Sequence, residues 1–245
     1  MISVIIPSKQ RPGQSRFLLE AILSVRPQLS PEDEIIVAAD KLEVQEFSGV
    51  RFVEGKSQAD AMNNGAIAST GSCVAFLEDD DTWRPGRVEA ALEALKSADF
   101  TSSTQLEVST EGVLRINDFP TPSGWFMRRE VWEKVGPLNL EFRFHLDNEW
   151  LGRLSKTDFR RVHLVENSAP ETYDQASLYR PWLASIVKWG GLQSTLQRSG
   201  RDYPLVKRLA HPHSNMAQIG KSQELSQRSL AELKKLQTEY GYVPR

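Results

Sequence analysis

The most constraining feature of this sequence is an apolar run that leads directly into an acidic turn. Five apolar residues, 73–77, are followed by four consecutive carboxylates, residues 78–81. A short apolar run that follows Gly71 and ends in an acidic turn is typical of a buried strand in a parallel sheet. Adjacent negative charges repel one another, and burying them without a partner is costly. Oxygen ligands of this kind therefore suggest a hard cation, Mg²⁺ or Mn²⁺.

The chain before this turn alternates strand and helix patterns. Runs of β-branched and apolar residues predict strands, and apolar residues three to four positions apart predict helices. The predicted elements are a strand at 2–6 ended by Pro7, a helix at 17–25, strands at 34–39 and 50–53, a helix at 58–68 with Gly71 as its C′ residue, and the strand at 73–77. This order predicts an α/β fold with a doubly wound, mostly parallel sheet.

Polar groups follow several of these strands. Ligands bind such sheets in the crevice beyond the carboxyl ends of the strands. The groups expected to meet there are Pro7 with Ser8, Asp40, and the acidic turn of residues 78–81. The loop after the first strand also brings Lys9 and Arg11 to this edge. The convergence favours a ligand site over the alternative, a solvated acidic turn that caps a helix from Pro85.

The chain after the acidic turn continues with mixed elements. We predict a helix at 85–96, strands within 100–114 with a turn at residues 111–112, a short strand and helix within 123–136, a helix within 142–154, and a last strand at 160–165. Asp147 and Glu149 lie in the first turn of the helix within 142–154. Capping alone could explain either residue, because a helix dipole favours acidic groups at its N-terminus.

Composition limits the class of protein. A chain of 245 residues, of which 40% are hydrophobic, can bury a full core as one large domain or as one domain with an appendage. No stretch approaches the roughly 18 to 20 apolar residues of a membrane helix, and residues 1–7 do not resemble a signal peptide. A cytoplasmic location is therefore expected. The single cysteine, Cys73, excludes an internal disulfide and most cysteine-based metal sites.

Five short motifs occur in a fixed order. They are residues 4–8 with Arg11 and Pro12, Asp40, residues 76–83 with Pro85, residues 124–130 with Val135 and Gly136, and residues 146–150 with Arg153. In this order and spacing they resemble the family 2 glycosyltransferases of the GT-A fold, over roughly residues 1–165. The resemblance implies a Rossmann-like sheet and the transfer of a sugar, with inversion, from a nucleotide diphosphate to a hydroxyl acceptor.

The resemblance also implies a role for each motif. The donor would be bound by Pro7, Ser8, Arg11, Asp40 and Asp79, and by Gly124 and Trp125 where the donor sugar meets the acceptor. Asp80 would be the main metal ligand, with Asp81 and Glu78 beside it, and Mn²⁺ or Mg²⁺ would bridge the diphosphate. Asp40 would accept a hydrogen bond from the base, which favours UDP. Asp147 would be the general base.

The sequence departs from the family pattern in two places. Glu78 replaces the first aspartate of the Asp-X-Asp motif. Leu146 replaces the usual acidic residue before the base, which leaves Asp147 as the base unless Glu149 substitutes. Many members also place a histidine near the metal after the last strand, and no histidine of this sequence aligns securely with it. His163 falls within the predicted last strand and is interpreted as structural.

Three other functions compete with this interpretation. Glu78, Asp80 and Thr82 have the spacing of the haloacid dehalogenase loop, but the nucleophilic aspartate of that loop would be a glutamate here. Nucleotidyl transfer on a related fold would leave Asp147 without a role, and no glycine-rich phosphate loop follows the first strand. The third is a non-catalytic nucleotide- or glycan-binding protein, which the departures at residues 78 and 146 suggest.

The net charge of −2 conceals an asymmetry. Residues 175–245 contain 11 Lys and Arg against 4 Asp and Glu, while residues 1–174 contain 19 against 28. We therefore predict a catalytic domain at 1–174 and a basic, mainly helical segment at 175–245. Aromatic residues lie between its cations, and residues 207–213 form a dense cationic patch.

This basic segment leaves the acceptor open. It could be a helical cap over the site that supports a homodimer. Alternatively, it could bind an anionic acceptor or surface: a lipid-linked glycan at a membrane face, an acidic polysaccharide, or a modified nucleic acid. Aromatic residues between cations suit the stacking of bases and of sugars alike, so residue type does not choose among these.

Overall fold

The computed structural model describes residues 1–9, 15–40, 47–169 and 194–245. Its strands are β1 (Ile2–Ser8), β2 (Glu34–Ala39), β3 (Val50–Glu54), β4 (Cys73–Phe76), β5 (Thr82–Trp83), β6 (Phe100–Ser103), β7 (Gln105–Ser109), β8 (Gly112–Asn117), β9 (Phe126–Arg128), β10 (Arg161–Val165), β11 (Thr195–Arg198) and β12 (Val206–Leu209). Its α-helices are α1 (Ser15–Val25), α2 (Gln58–Ala68), α3 (Arg87–Ala94), α4 (Arg129–Val135), α5 (Leu146–Leu154), α6 (Asn215–Ile219) and α7 (Gln223–Tyr240).

The main sheet has eight strands in the order β11-β10-β6-β9-β4-β1-β2-β3. All its pairs are parallel except those of β9, which runs antiparallel between β4 and β6. A short 3-10 helix, Pro122–Gly124, precedes β9 and lies at the carboxyl edge of the parallel strands. The antiparallel strand therefore brings this turn beside the acidic residues that follow β4. The predicted doubly wound, mostly parallel sheet is confirmed.

A second sheet of four strands has the order β5-β12-β7-β8. β12 pairs with β5 and β7, so a strand from the C-terminal segment lies beside the strand that follows the acidic turn. The C-terminal segment also adds β11 to the main sheet and Leu236 to its core. It thus contributes strands as well as the expected helices. The predicted boundary near residue 174 lies outside the described residues.

The core lies on both faces of the main sheet. Successive residues of a strand point to opposite faces. Ile5 of β1 packs in a cluster with α2, α4, α5 and α7, whereas its neighbours Val4 and Ile6 pack in a second cluster with α1 and α3. Burial on both faces explains why the central strands are continuous apolar runs instead of alternating ones.

Three local predictions were wrong. β1 continues through Pro7 instead of ending before it. Pro7 has no N–H to donate, but the pairing of β1 with β4 already ends at Ile5, so no hydrogen bond to β4 is lost. Helix α2 ends at Ala68, so Gly71 is not its C′ residue. Glycine is required at this position because the backbone passes close to β1, and an added Cβ would lie 2.8 Å from the Ser3 nitrogen. The strand at 161–165 is not the last one, because β11 and β12 follow it.

In the described part of the chain, no helix combines the length and the apolarity needed to cross a membrane.

Gly65 of α2 packs directly against β1, and this contact predicts an effect on stability. A Cβ at this position would overlap Ile5 Cγ2 in the core. We expect Gly65→Ala to lower the free energy of unfolding by about 1 to 3 kcal/mol despite the better helix propensity of alanine. Gly220→Ala is the control, because φ there is −68° and no atom lies within 4 Å of the new Cβ. Urea denaturation of both variants checks this, and a stabilised Gly65→Ala protein would contradict it.

Candidate active site

A cavity of about 740 Å³ opens at the carboxyl edge of the main sheet. Strand ends, the acidic turn, the start of α5 and strand β12 all contribute to it. Its lining includes Pro7 and the polar residues Ser8, Lys9, Asp40, Gln58, Glu78, Asp79, Asp80, His145, Asp147, Asn148 and Arg208. The structure therefore brings together most of the residues that the sequence motifs single out. Arg11 lies outside the described residues.

Asp79 joins the acidic turn to the end of β1. Its Oδ2 accepts hydrogen bonds from Ser8 Oγ at 2.7 Å and from the Lys9 backbone N–H at 3.0 Å. Ser8 and Asp79 are both buried. These contacts fix the turn against the first strand end, where the resemblance puts the nucleoside. Asp40 lines the same cavity from the end of β2 and is exposed.

Glu78 is held by neutral partners. Gln58 Nε2 donates to Glu78 Oε1, and the Glu78 backbone N–H donates to Ser123 Oγ at 3.1 Å. Burial, together with repulsion by Asp80, raises the pKa of Glu78 to about 7. Glu78 is therefore a carboxylate that a nearby cation would help to ionise.

Asp81 is turned away from the cavity, although it was expected to ligate the metal. Its Oδ2 accepts a hydrogen bond from Ser123 Oγ at 2.6 Å, and its Oδ1 accepts one from the Leu209 backbone N–H at 3.1 Å. Its side chain is buried, and this burial raises the pKa of Asp81 well above its usual range. Asp81 therefore acts as a connector that ties the acidic turn to β9 and β12.

Asp80 instead meets a histidine that the sequence motifs missed. His211 Nε2 lies 2.8 Å from Asp80 Oδ2, and the His211 side chain is 8% exposed. Its ring packs 5.6 Å from that of Phe17. Sequence reasoning had assigned His211 to a cationic surface patch, since it lies 131 residues from Asp80 in the chain. The signal that could have found it is the histidine that family members place after their last strand.

His163 is buried in the core, whereas Arg208 lines the cavity. His163 is fully buried in β10, where its Nδ1 lies 2.7 Å from Ser102 Oγ, as expected of a structural histidine. Burial lowers the pKa of His163 to about 3. Arg208, from the same predicted surface patch as His211, lines the cavity.

Arg208 of β12 interacts with the carboxylates of the acidic turn. Its Nη1 lies 3.1 Å from Oε1 of Glu107, a buried carboxylate that also binds Asn117 Nδ2 at 2.8 Å. Burial alone would lower the pKa of Arg208. The attraction of four carboxylates outweighs this effect, so the pKa of Arg208 is raised; these are Asp81, Glu78, Glu107 and Asp80. The guanidinium is thus fixed in place and charged beside the acidic turn.

The side chains of Asp147 and Glu149, both in the first turn of α5, point to different surroundings. Asp147 lines the cavity, and its Oδ1 accepts a hydrogen bond from the Asn148 backbone N–H at 2.9 Å. Burial raises the pKa of Asp147, while His145 and Arg208 partly oppose the shift. Glu149 does not line the cavity, because both its oxygens bind Arg153, at 2.8 and 2.9 Å. The geometry therefore leaves Asp147 as the carboxylate that faces the cavity from this helix.

Gly124 and Trp125 lie behind the cavity instead of in its lining. Trp125 is fully buried, its Nε1 donates to the Pro120 carbonyl at 2.6 Å, and its ring lies 4.8 Å from that of Trp150. The Gly124 carbonyl accepts a hydrogen bond from Arg87 Nη2 at 2.6 Å. The contact of these residues with the donor stays a prediction, and their absence from the cavity lining does not favour it. The Trp125 ring packs in the aromatic core, and Phe119, Thr121 and Pro122 of the loop between β8 and β9 reach the cavity.

A mostly parallel sheet with an acidic turn at its carboxyl edge is the arrangement of α/β proteins with a GT-A-like fold. Solved structures agree at the level of the fold. The crystal structure of S. aureus TarS superposes with a TM-score of 0.56, at 13% identity, over 96% of this chain and 42% of that one. Residues 1–349 of S. aureus TarS in complex with UDP give a TM-score of 0.55, at 12% identity, over 98% and 72%.

The sequence comparisons match part of the chain to one family. Residues 3–118 match the model of glycosyl transferase family 2. An uncharacterized glycosyltransferase of Nostoc sp. is 30% identical over 176 residues, and one of Haemophilus influenzae is 27% identical over 184 residues. These alignments cover 56% and 63% of this chain. The resemblance to family 2 glycosyltransferases is therefore confirmed, and the chain spans 54% and 62% of the lengths of these two relatives.

Proposed function

We propose that this protein is a metal-dependent, inverting glycosyltransferase that uses a nucleotide diphosphate sugar, preferably a UDP-sugar, and a hydroxyl acceptor. The observation that carries the proposal is that one cavity is lined both by the acidic turn and by Asp147. Asp147 is also one of the carboxylates whose negative charge raises the pKa of Glu78. A donor diphosphate at the turn would thus put its sugar next to a base.

Different residues act on the acceptor and on the leaving group. The bond between the sugar C1 and the diphosphate oxygen breaks, and the acceptor oxygen forms a new bond to C1 from the opposite face. Asp147 takes the proton of the attacking hydroxyl as general base. Arg208 and Lys9 face the negative charge that develops on the leaving nucleoside diphosphate. A single displacement of this kind inverts the configuration at C1.

The donor set at the turn fits a divalent cation. Among the described residues, no three His, Cys, Asp or Glu side chains are already positioned to hold a metal ion together. Asp80 Oδ2 and His211 Nε2 lie 2.8 Å apart, so these two could ligate one ion while diphosphate oxygens complete its coordination shell. Glu78, with its raised pKa, lies beside them. When bound, Mn²⁺ or Mg²⁺ would neutralise charge on the diphosphate.

Two observations support UDP as the nucleotide. Asp40 offers an exposed carboxylate at the end of β2, which can accept a hydrogen bond from the uracil N–H. A structure similar in fold, that of S. aureus TarS residues 1–349, was solved in complex with UDP. If Asp40 recognises the base, UDP binds more tightly than GDP.

Release of UDP from a UDP-sugar tests this function. We expect release that requires Mn²⁺ or Mg²⁺ and that stops when a chelator is added. Analysis of the product anomer tests inversion. Binding of UDP without any release from the UDP-sugars tried would favour the non-catalytic alternative, and release of pyrophosphate from a nucleoside triphosphate and a sugar phosphate would favour nucleotidyl transfer.

The metal site predicts a specific loss of nucleotide affinity. We expect UDP to bind weakly with chelator, because the carboxylates of the turn repel the diphosphate directly. Asp80→Asn and His211→Asn should each weaken metal-dependent UDP binding by at least about tenfold, since even indirect partners of a metal are worth about 10- to 100-fold. His213→Asn is the matched control, because this exposed neighbour does not line the cavity. Calorimetry checks this, and equal UDP affinity with and without metal would remove the metal from the proposal.

A further inference from the structure

One carboxylate near the start of α5, that of Glu232, contacts the backbone of one arginine and the side chain of another. Glu232 Oε1, on α7, accepts a hydrogen bond from the Arg143 backbone N–H at 2.9 Å and lies 3.4 Å from Arg228 Nε. Both arginines line the cavity. The shared oxygen therefore puts the Arg143 backbone and the Arg228 side chain at the same part of the cavity wall.

The charge of Glu232 is largely engaged by backbone groups. Besides Arg143, its carboxylate accepts the backbone N–H groups of Phe144 at 2.9 Å and His145 at 3.0 Å, and it is only 5% exposed. It therefore stabilises the N-terminus of α5, leaving little of its charge to neutralise the guanidinium groups. Arg228 is 48% exposed. Arg143 stacks on the Phe144 ring at 5.2 Å and has no carboxylate partner within the described ranges.

These cations lie on the side of the proposed base. Arg143 stands just before α5, whose first turn holds Asp147, and the residues between them also line the cavity. The proposed function already assigns Lys9 and Arg208, which line the same cavity, to the donor diphosphate. Arg143 and Arg228 are not assigned to the donor, and a guanidinium group is well suited to bind a phosphate or carboxylate with paired hydrogen bonds.

We propose that Arg143 and Arg228 bind an anionic group of the acceptor, a phosphate or a carboxylate close to the hydroxyl that Asp147 deprotonates. This inference rests on the proposed function and specifies its acceptor class. Aromatic and aliphatic side chains beside the arginines, including Phe142 and Leu233, also line the cavity. They exclude water and strengthen the charge-assisted hydrogen bonds.

Paired acceptors test the inference. Glucose 6-phosphate is compared with glucose, and methyl glucuronide with methyl glucoside, so that a phosphate is distinguished from a carboxylate. For the preferred anionic acceptor, Arg143→Gln and Arg228→Gln should each lower kcat/KM by about 10- to 100-fold, since a hydrogen bond to a charged group contributes this much. Lys234→Gln is the matched control, because it removes the same charge from an exposed position on α7 outside the cavity.

Further measurements separate this inference from the proposed function. Acceptor-independent UDP release and UDP affinity should stay unchanged in both arginine variants. If wild-type protein releases no UDP from any donor, the proposed function fails, whatever the arginines do. Anionic probes are also titrated by calorimetry, so a probe that is bound but not glycosylated still counts. The inference is overturned if no anionic probe binds, if neutral acceptors lose as much as anionic ones, or if the variants weaken UDP instead.

Discussion

Asp147→Asn is expected to lower sugar transfer by about 100- to 10,000-fold, the usual cost of losing a positioned base. The substitution is nearly isosteric, and the amide oxygen can still accept the hydrogen bond from the Asn148 backbone N–H. UDP affinity should therefore change little, because the proposed nucleotide site is formed by the acidic turn and the ends of β1 and β2 instead of Asp147. Transfer rates at saturating donor, together with calorimetry of UDP, measure the two effects separately.

Glu149→Gln is the matched control for the base. Glu149 binds Arg153 and does not line the cavity, so its loss should reduce stability more than activity. An inactive Glu149→Gln with an active Asp147→Asn would reverse the assignment of the base.

The pH dependence of transfer gives a further check on the base. Burial raises the pKa of Asp147, so its carboxylate becomes protonated at a higher pH than an exposed aspartate. As the pH falls through this raised pKa, the base is lost and the rate falls with it. The acidic limb of the wild-type profile should therefore lie above the ordinary range of aspartate. It should be absent from the residual activity of Asp147→Asn.

Trp125→Ala is expected to lower the free energy of unfolding by about 3 to 5 kcal/mol, as for other large aromatic residues truncated in a core. The variant would lose packing against Trp150 and Phe100, and it would leave the Pro120 carbonyl without its indole donor. Trp125→Phe should cost less, because it keeps a ring in the aromatic cluster. Urea denaturation measures both, with Leu114→Ala as the control at a position that is 50% exposed.

This prediction also tests where the donor binds. If Trp125 contacted the donor sugar, as the family resemblance implied, Trp125→Phe would weaken donor binding with little loss of stability. The structure predicts the opposite: a destabilised protein that binds UDP normally at temperatures where it remains folded.

The sequence predicted the acidic turn well because its signal is local. A continuous apolar strand followed by carboxylates must put those carboxylates at the strand end, whatever the rest of the chain does. The positions of Ser8, Asp40 and Asp80 at the cavity follow from the same rule, applied to strands that run in one direction. Asp147 was found through its motif, and the structure turns its side chain toward the cavity.

Side-chain direction within a motif could not be predicted. Asp80 and Asp81 are adjacent and chemically identical, yet Asp80 reaches the cavity and Asp81 is buried against Ser123 and the Leu209 backbone. The difference depends on β9 and β12, which come from distant parts of the chain. The same is true of Glu149, whose partner Arg153 also binds the Val135 and Pro137 carbonyls.

The C-terminal segment shows the limit most clearly. Its net charge suggested a surface for polyanions, and that role, like the homodimer, stays a prediction. Arg208 instead lines the cavity and His211 contacts Asp80, because β12 pairs with β5 and β7 beside the acidic turn. The sequence by itself determined the parallel sheet, its polar edge and the carboxylates there, since periodicity and strand direction are local properties. Only the tertiary structure decided which distant cations face those carboxylates, because strand pairing across more than a hundred residues leaves no local pattern.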